Sequence, residues 1–223
     1  MAKLHAGMVG AGTCFLAIEQ TAGKGQRGKS WLAAPGENIT MSAIANPGTA
    51  RQRPFLLSAA VAIACHAFLA EYANNNLKIK WPNDIYINDR KAGGLLIENL
   101  YQGHYWSCAI AGIGLNINQA GFPGHLPYAT SLKQVTGKEY NNVKLAKQLA
   151  SVLDNQLRWM NNSSSEQIME AYNERLYKRD CEVKLKKNNI VFTRTIKGVS
   201  PSGELITQGA MEERYRFGEV EWV

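Results

Sequence analysis

The chain has 223 residues, enough for one substantial core or for a core with a small appended domain. With 45% hydrophobic and 19% charged residues it has the composition of an ordinary globular protein, and it carries no apolar run of membrane-spanning length. The net charge of +7 suits anionic partners such as nucleotides, nucleic acids or acidic protein surfaces. The basic residues are dispersed, so charge alone does not choose among these.

The first residues, Met1-Ala2-Lys3-Leu4-His5-Ala6-Gly7, lack the apolar centre of a signal peptide, which makes cytoplasmic residence the expectation. Residues 14–19 form a short apolar run that reads as a buried strand, and residues 38–45 alternate as a second strand. Pro54 opens an apolar, small-residue segment to Tyr72, long enough for a buried helix. Residues 78–81 and 84–87 are strand pieces with a turn at Asn88-Asp89, and residues 95–97 and 105–117 are further strands. Leu145, Leu149, Val152, Leu153, Leu157 and Met160 recur at helical spacing and give the core face of a helix over 143–160. Ser163 with Glu166 predicts a capping box for one more helix, to Leu176. After Arg179 only short strands and turns follow, with turns at 187–189 and 200–203, so a boundary is expected near Lys178. The chain divides into 1–177, mixed sheet and helix, and 178–223, a small β-barrel. Cys14, Cys65, Cys108 and Cys181 lack metal-ligand or disulfide-scaffold spacing and read as reduced thiols packed as small apolar residues. His66, inside the apolar helix, reads as a packed or hydrogen-bonded histidine.

Three segments carry chemistry. Gly23-Lys24-Gly25-Gln26-Arg27-Gly28-Lys29-Ser30-Trp31 places three glycines in six residues, so backbone N–H groups can close on an anion among three cations, with Trp31 as a flat face for a ring. It lacks the frame of a Walker A loop, and a basic surface hairpin fits the same residues. Lys80-Trp81-Pro82-Asn83-Asp84, followed by Arg90-Lys91-Ala92-Gly93-Gly94, makes a rigid corner where Asp84 could bind magnesium and Lys91 could reach a shared site. A plain turn with a buried tryptophan fits the spacing as well. Gly112-Ile113-Gly114-Leu115-Asn116 is a strand with two glycines, which marks either close approach of a ligand or a bulge.

In their order and spacing these segments resemble the biotin–protein ligase family. The glycine loop matches its G-R-G-R-x-G…W segment, residues 80–84 match K-W-P-N-D, residues 90–98 match R-K-x-x-G-x-L-x-E, and residues 112–116 match G-I-G-x-N. Thr130-Ser131-Leu132 is similar to the segment closing the family's nucleotide loop. The resemblance implies an α+β fold: a mixed sheet with helices of the class II synthetase-like kind, followed by a small SH3-like barrel. It implies biotin and ATP as substrates with Mg2+, a biotin carboxyl carrier domain as partner, and no membrane. Gln20, Lys24, Gly25, Gln26, Gly94, Gly112 and Gly114 fall on biotin-binding positions. Arg27, Lys29, Trp31, Lys80, Asn83, Asp84 and Asn116 fall on the nucleotide and magnesium side, and Lys91 on the lysine touching both biotin and phosphate.

Two departures stand out. The family's Ser-Thr-Asn segment has no counterpart, because the sequence starts at Met1-Ala2-Lys3-Leu4, inside the helix expected to follow it. Lys24 and Gln26 replace two arginines: Lys24 keeps the charge without the planar fork, and the loss of charge at Gln26 predicts weaker retention of biotinyl-AMP. No helix-turn-helix precedes the motifs, so DNA is not an expected partner, while a homodimer through a sheet edge stays open. The competing readings are a lipoate–protein ligase, a nucleic-acid-binding barrel using Phe192, Tyr215, Phe217 and Trp222, and a degenerate ligase that binds without reacting.

Overall fold

A computed structural model describes residues 8–73 and 76–223. The readings that concern the first seven residues therefore lie outside the described residues. Strand β1 is Cys14–Ala17, β2 Asn38–Ala45, β3 Leu77–Lys80, β4 Asp84–Ile87, β5 Arg90–Gln102 and β6 Tyr105–Asn116. They form one antiparallel sheet in the order β1-β2-β6-β5-β4-β3. Helices α1 (Phe55–Ala70), α2 (Leu132–Thr136), α3 (Asn142–Asn161) and α4 (Ser165–Glu174) accompany it.

One face of the sheet is apolar. Ile39, Met41, Ala43 and Ala45 pair with Leu115, Ile113, Ala111 and Ala109, and the same face continues through Leu95, Ile85 and Ile79. Helix α1 packs against this face and is buried on nearly all sides, as its uniformly apolar sequence requires. Its alanines at 59, 60, 62 and 64 are small enough to admit α3 and α4 closely. Leu145, Leu149, Leu153 and Met160 of α3 are buried, with Val152 and Leu157 packed at the margin.

The remaining strands, β7 (Glu182–Lys187), β8 (Ile190–Val199), β9 (Leu205–Gln208), β10 (Glu212–Tyr215) and β11 (Glu221–Trp222), form a second antiparallel sheet, ordered β10-β9-β8-β7-β11. The two turns expected here close its hairpins, with Asn188 and Asn189 in the left-handed region at φ 50 and 64.

Several expectations need correction. The strand at 14–19 is an edge strand, shorter and partly exposed, because only β2 flanks it. The run at 95–97 is the middle of a 13-residue strand, whose ends are polar and solvent-facing. The capping box is Ser164 with Gln167, one residue along: the Ser164 hydroxyl accepts from the Gln167 N–H, the Gln167 side chain accepts in return, and Ser163 instead donates to the Trp159 carbonyl. All four cysteines are free, but only Cys65 is buried, its thiol pushed up to about 12 by burial, while Cys14 and Cys181 are exposed on peripheral segments. Among the described residues no helix is long and apolar enough to cross a membrane.

Candidate active site

The opposite face of the first sheet carries the expected chemistry. Reading across the strands, Ala17, Thr40, Gly114, Gly94, Asp84 and Lys80 stand in one row. The next row brings Ser42, Gly112 and Leu96 together. Adjacent glycines on adjacent strands leave a shallow trough, and the Trp31 indole lies in it. A Cβ on Gly114 would fall 2.6 Å from Trp31 Cζ2 and 2.8 Å from its Nε1, and one on Gly94 would fall 3.2 Å from Cζ3. Gly114 and Gly94 are therefore required by close approach of the Trp31 ring, a side chain of the protein itself rather than the ligand or bulge read from the sequence at 112–114.

Lys91 reaches this face through a bulge. In a regular strand, residues 91 and 94 would point to opposite faces. Here Ile85 pairs with Gly93 and Tyr86 with Lys91, so Ala92 is an extra residue. The inserted residue turns Lys91 to the Gly94 side. Its ammonium then meets the Asp84 carboxylate at 2.7 Å and lies 5.8 Å from the centre of the Trp31 ring. The preceding two-residue turn, Asn88 and Asp89 at φ 49 and 61, matches the twist of β4 and β5 and fixes their register.

The segment 128–131 holds Lys91 from its other side. The Lys91 N–H donates to the Tyr128 carbonyl at 2.6 Å, and the Thr130 N–H donates to the Lys91 carbonyl at 2.9 Å. Asn116, buried at the end of β6, donates its amide to the carbonyls of Thr130 (2.9 Å) and Lys91 (3.4 Å). Its amide nitrogen is thus committed to protein, in a buried polar group with Asn38, which donates to Gln119 at 2.6 Å.

The glycine loop is a hairpin. Gly23 pairs with Trp31 and Gly25 with Lys29, the Gly25 N–H donating to the Lys29 carbonyl at 2.6 Å. Arg27 and Gly28 turn its tip at φ 55 and 72. Lys24 and Lys29 are exposed, as is Gln20 at the hairpin's base. A cavity of about 320 Å³ opens at that base, lined by Gln20, Gly23, Trp31 and Gln119. A second, of about 450 Å³, lies beyond the tip, between Gln26, Asn83 and four residues in the connections of the second sheet, Ser202 and Glu204 between β8 and β9 and Arg216 and Phe217 between β10 and β11.

The Lys80-to-Asp84 corner is tied to both sheets. Trp81 is buried, precedes a cis proline, and donates from Nε1 to the Gly203 carbonyl at 3.0 Å. Asn83 donates to the Leu95 carbonyl at 2.6 Å. Lys80 does not open onto the trough: its ammonium donates to the Tyr86 hydroxyl at 3.1 Å and faces the rings of Tyr86, Tyr177 and Trp222 at 4.6, 5.6 and 5.0 Å. Burial pushes its pKa down, against the pull of Asp84. This aromatic enclosure was not foreseen. Only Tyr86, two residues beyond Asp84 on the same strand face, signals it in the sequence; Tyr177 and Trp222 arrive from distant segments. Among the described residues no group of three or more His, Cys, Asp or Glu side chains could hold a metal ion.

The chain resembles known proteins in sequence and in fold. A model of the Biotin/lipoate A/B protein ligase family matches residues 5–116. The chain is 37% identical over 131 residues to the Bifunctional ligase/repressor BirA of Bacillus subtilis, over 57% of this chain and 40% of that protein. It is 33% identical over 139 residues to the Biotin--[acetyl-CoA-carboxylase] ligase of Paracoccus denitrificans, over 61% and 57% of the two. The match thus spans less than two thirds of either relative. The fold superposes with a TM-score of 0.81 and 25% identity on the biotin protein ligase of Aquifex aeolicus in complex with biotin and ATP, covering 96% of this chain and 89% of that one.

Proposed function

The chain belongs to the biotin/lipoate A/B protein ligase family, and within it we propose that the chain is a biotin–protein ligase. On this reading it joins biotin and ATP as biotinyl-5′-AMP, then moves the biotinyl group to one lysine of a biotin carboxyl carrier domain. The observation that carries the reading is the Lys91–Asp84 ion pair, set at 2.7 Å beside a glycine trough covered by Trp31. The names of the relatives support the choice of substrate: the Paracoccus protein is a biotin ligase, and the Aquifex protein was captured with biotin and ATP.

The chemistry asks little covalent help of the protein. An oxygen of the biotin carboxylate attacks the α-phosphorus of ATP, a P–O bond to the β-phosphate breaks, and pyrophosphate leaves with that electron pair. Two anions brought to ~4 Å repel by about 4 kcal/mol at an effective dielectric of ~20. The Lys91 ammonium offsets that repulsion where it arises, so positioning and charge neutralisation suffice. In the second step the carrier lysine's amine attacks the acyl carbon, AMP departs, and the amine loses a proton to give the amide.

We assign Gln20, Lys24, Gly25, Gln26, Gly94, Gly112 and Gly114 to the biotin side, and Arg27, Lys29, Trp31, Asn83 and Asp84 to the nucleotide side. Asn116 and Lys80 belong to the same site as positioning residues: the Asn116 amide nitrogen bonds the Thr130 and Lys91 carbonyls, and the Lys80 ammonium bonds the Tyr86 hydroxyl. Asp84, the carboxylate beside Lys91, would hold a magnesium ion that arrives with the nucleotide. Bound there, the ion would neutralise charge on the departing pyrophosphate. We further propose that residues 178–223 form the small SH3-like unit of the family, and that the protein works in the cytoplasm.

The direct test is transfer. Incubation with biotin, MgATP and a biotin carboxyl carrier domain should add one biotinyl group, read by intact mass. Replacing the acceptor lysine by arginine should abolish the gain; labelling that ignores this replacement would sink the reading.

A further inference from the structure

The glycine-rich hairpin is anchored at its base by Trp31 in the trough, and its tip meets the turn between β10 and β11 of the second sheet. Arg27 occupies the left-handed region at φ 55, which projects its side chain away from the hairpin. The guanidinium carbon lies 5.9 Å from the centre of the Phe217 ring. Gly218, also left-handed at φ 88, leaves room beside it: a Cβ there would fall 3.0 Å from Arg27 Nη1. The receiving side is rigid. Phe217 packs edge-on against buried Trp81 at 6.2 Å, and the turn that carries it is closed by two bonds between Arg216 and Glu219, at 2.9 and 3.0 Å. Gln26, next to Arg27, faces the cavity with its side-chain oxygen buried and unpartnered, so it adds no second tie across the seam.

We propose that the second sheet is a latch for the glycine-rich hairpin, with Phe217 and Gly218 as positioning residues that seat Arg27. The hairpin's closed position then depends on a part of the chain some 190 residues away in sequence. Resting on the ligase reading, the latch sets how long the adenylate is retained, because it holds the hairpin that covers the trough.

The hairpin contains its own probes. Lys24, Arg27 and Lys29 are trypsin sites, so limited digestion of the full, ligand-free chain reports hairpin opening as cleavage after these residues. Cleavage of a transiently open segment follows its open population. An exposed cation–ring contact corresponds to about a three- to fivefold change in that population. Phe217→Ala should therefore speed cleavage after Lys24 and Lys29 about three- to fivefold, and Phe217→Trp should return it to the wild-type rate. Arg27→Ala should give the same acceleration, and the double variant no more than either alone. Unchanged cleavage in Phe217→Ala, additive effects in the double variant, or equal acceleration at Arg194 and Arg214 in the second sheet would each overturn the latch. No biotin or ATP enters this assay, so it stands or falls separately from the ligase reading. If the ligase reading holds, Phe217→Ala should also release biotinyl-AMP about three- to fivefold faster. Unaltered release would remove the latch's role in retention.

Discussion

Replacing Gly114 by alanine perturbs the trough at its most crowded point. The new methyl would sit 2.6 and 2.8 Å from two atoms of the Trp31 ring, well inside van der Waals contact. Gly114 lies in mid-sheet, between Thr40 and Gly94, so the strand cannot retreat. The indole must yield, and it sits on a hairpin that can lift. Overpacking of this kind costs about 1–3 kcal/mol. At about 2 kcal/mol, with 1.36 kcal/mol per decade, biotin-dependent pyrophosphate exchange should fall about thirtyfold. The decisive comparison is a double-mutant cycle: in a Trp31→Ala background the clash has no partner, and Gly114→Ala should then cost less than about twofold further. An equal loss in both backgrounds would refute the placement of Trp31 on the glycine pair.

Lys91→Ala should lower exchange by at least about a hundredfold, the loss associated with one preorganised charge at a reacting group, whereas Lys91→Arg retains part of it; normal exchange by the alanine variant would remove Lys91 from the chemistry. Asn116→Ala leaves the buried Thr130 carbonyl without its donor, which costs about 1–3 kcal/mol, while the Lys91 carbonyl keeps the Thr130 N–H. Its melting temperature should drop by roughly 2–4 °C per kcal/mol, as calorimetry can show, with exchange falling in parallel because Lys91 is no longer held from behind. His66 gives a pH prediction. Burial lowers its pKa from 6.5 to about 4, while its Nε2 sits 3.1 Å from the Leu77 carbonyl. The unfolded chain then binds a proton that the folded chain refuses, so His66 supports stability above pH 6.5 and that support is lost as the pH falls toward 4. Denaturant unfolding of wild type and His66→Gln across this window should show a steeper acid loss for wild type; parallel curves would contradict it.

Much of this architecture was legible because its signals are local. The alternation over β2 and the heptad-like stripe of α3 each specify a single face, and the structure keeps both almost to the residue. Gly114 was legible as a site of close approach or a bulge, but its pairing with Gly94 was not, since that depends on the β5–β6 register. Two features were hidden. Nothing in Lys91-Ala92-Gly93-Gly94 announces that Ala92 is the extra residue that brings Lys91 to the Asp84 side. Nor does Lys80 look like an enclosed cation, because two of its three aromatic neighbours lie about 100 and 140 residues further along the chain. The capping box slipped by one residue because three serines in a row offer equivalent hydroxyls and only the packing of α4 selects among them. Long-range contacts of this kind carry no sequence period, which is also why the Arg27–Phe217 contact became visible only in the fold.

The central claim is that the Lys91–Asp84 trough activates biotin. Its most direct test is exchange of labelled pyrophosphate into ATP, with magnesium, in the presence of biotin or of lipoate. The account predicts exchange that depends on biotin and is lost in Lys91→Ala. Exchange supported by lipoate and not by biotin would contradict it, and so would silence with both.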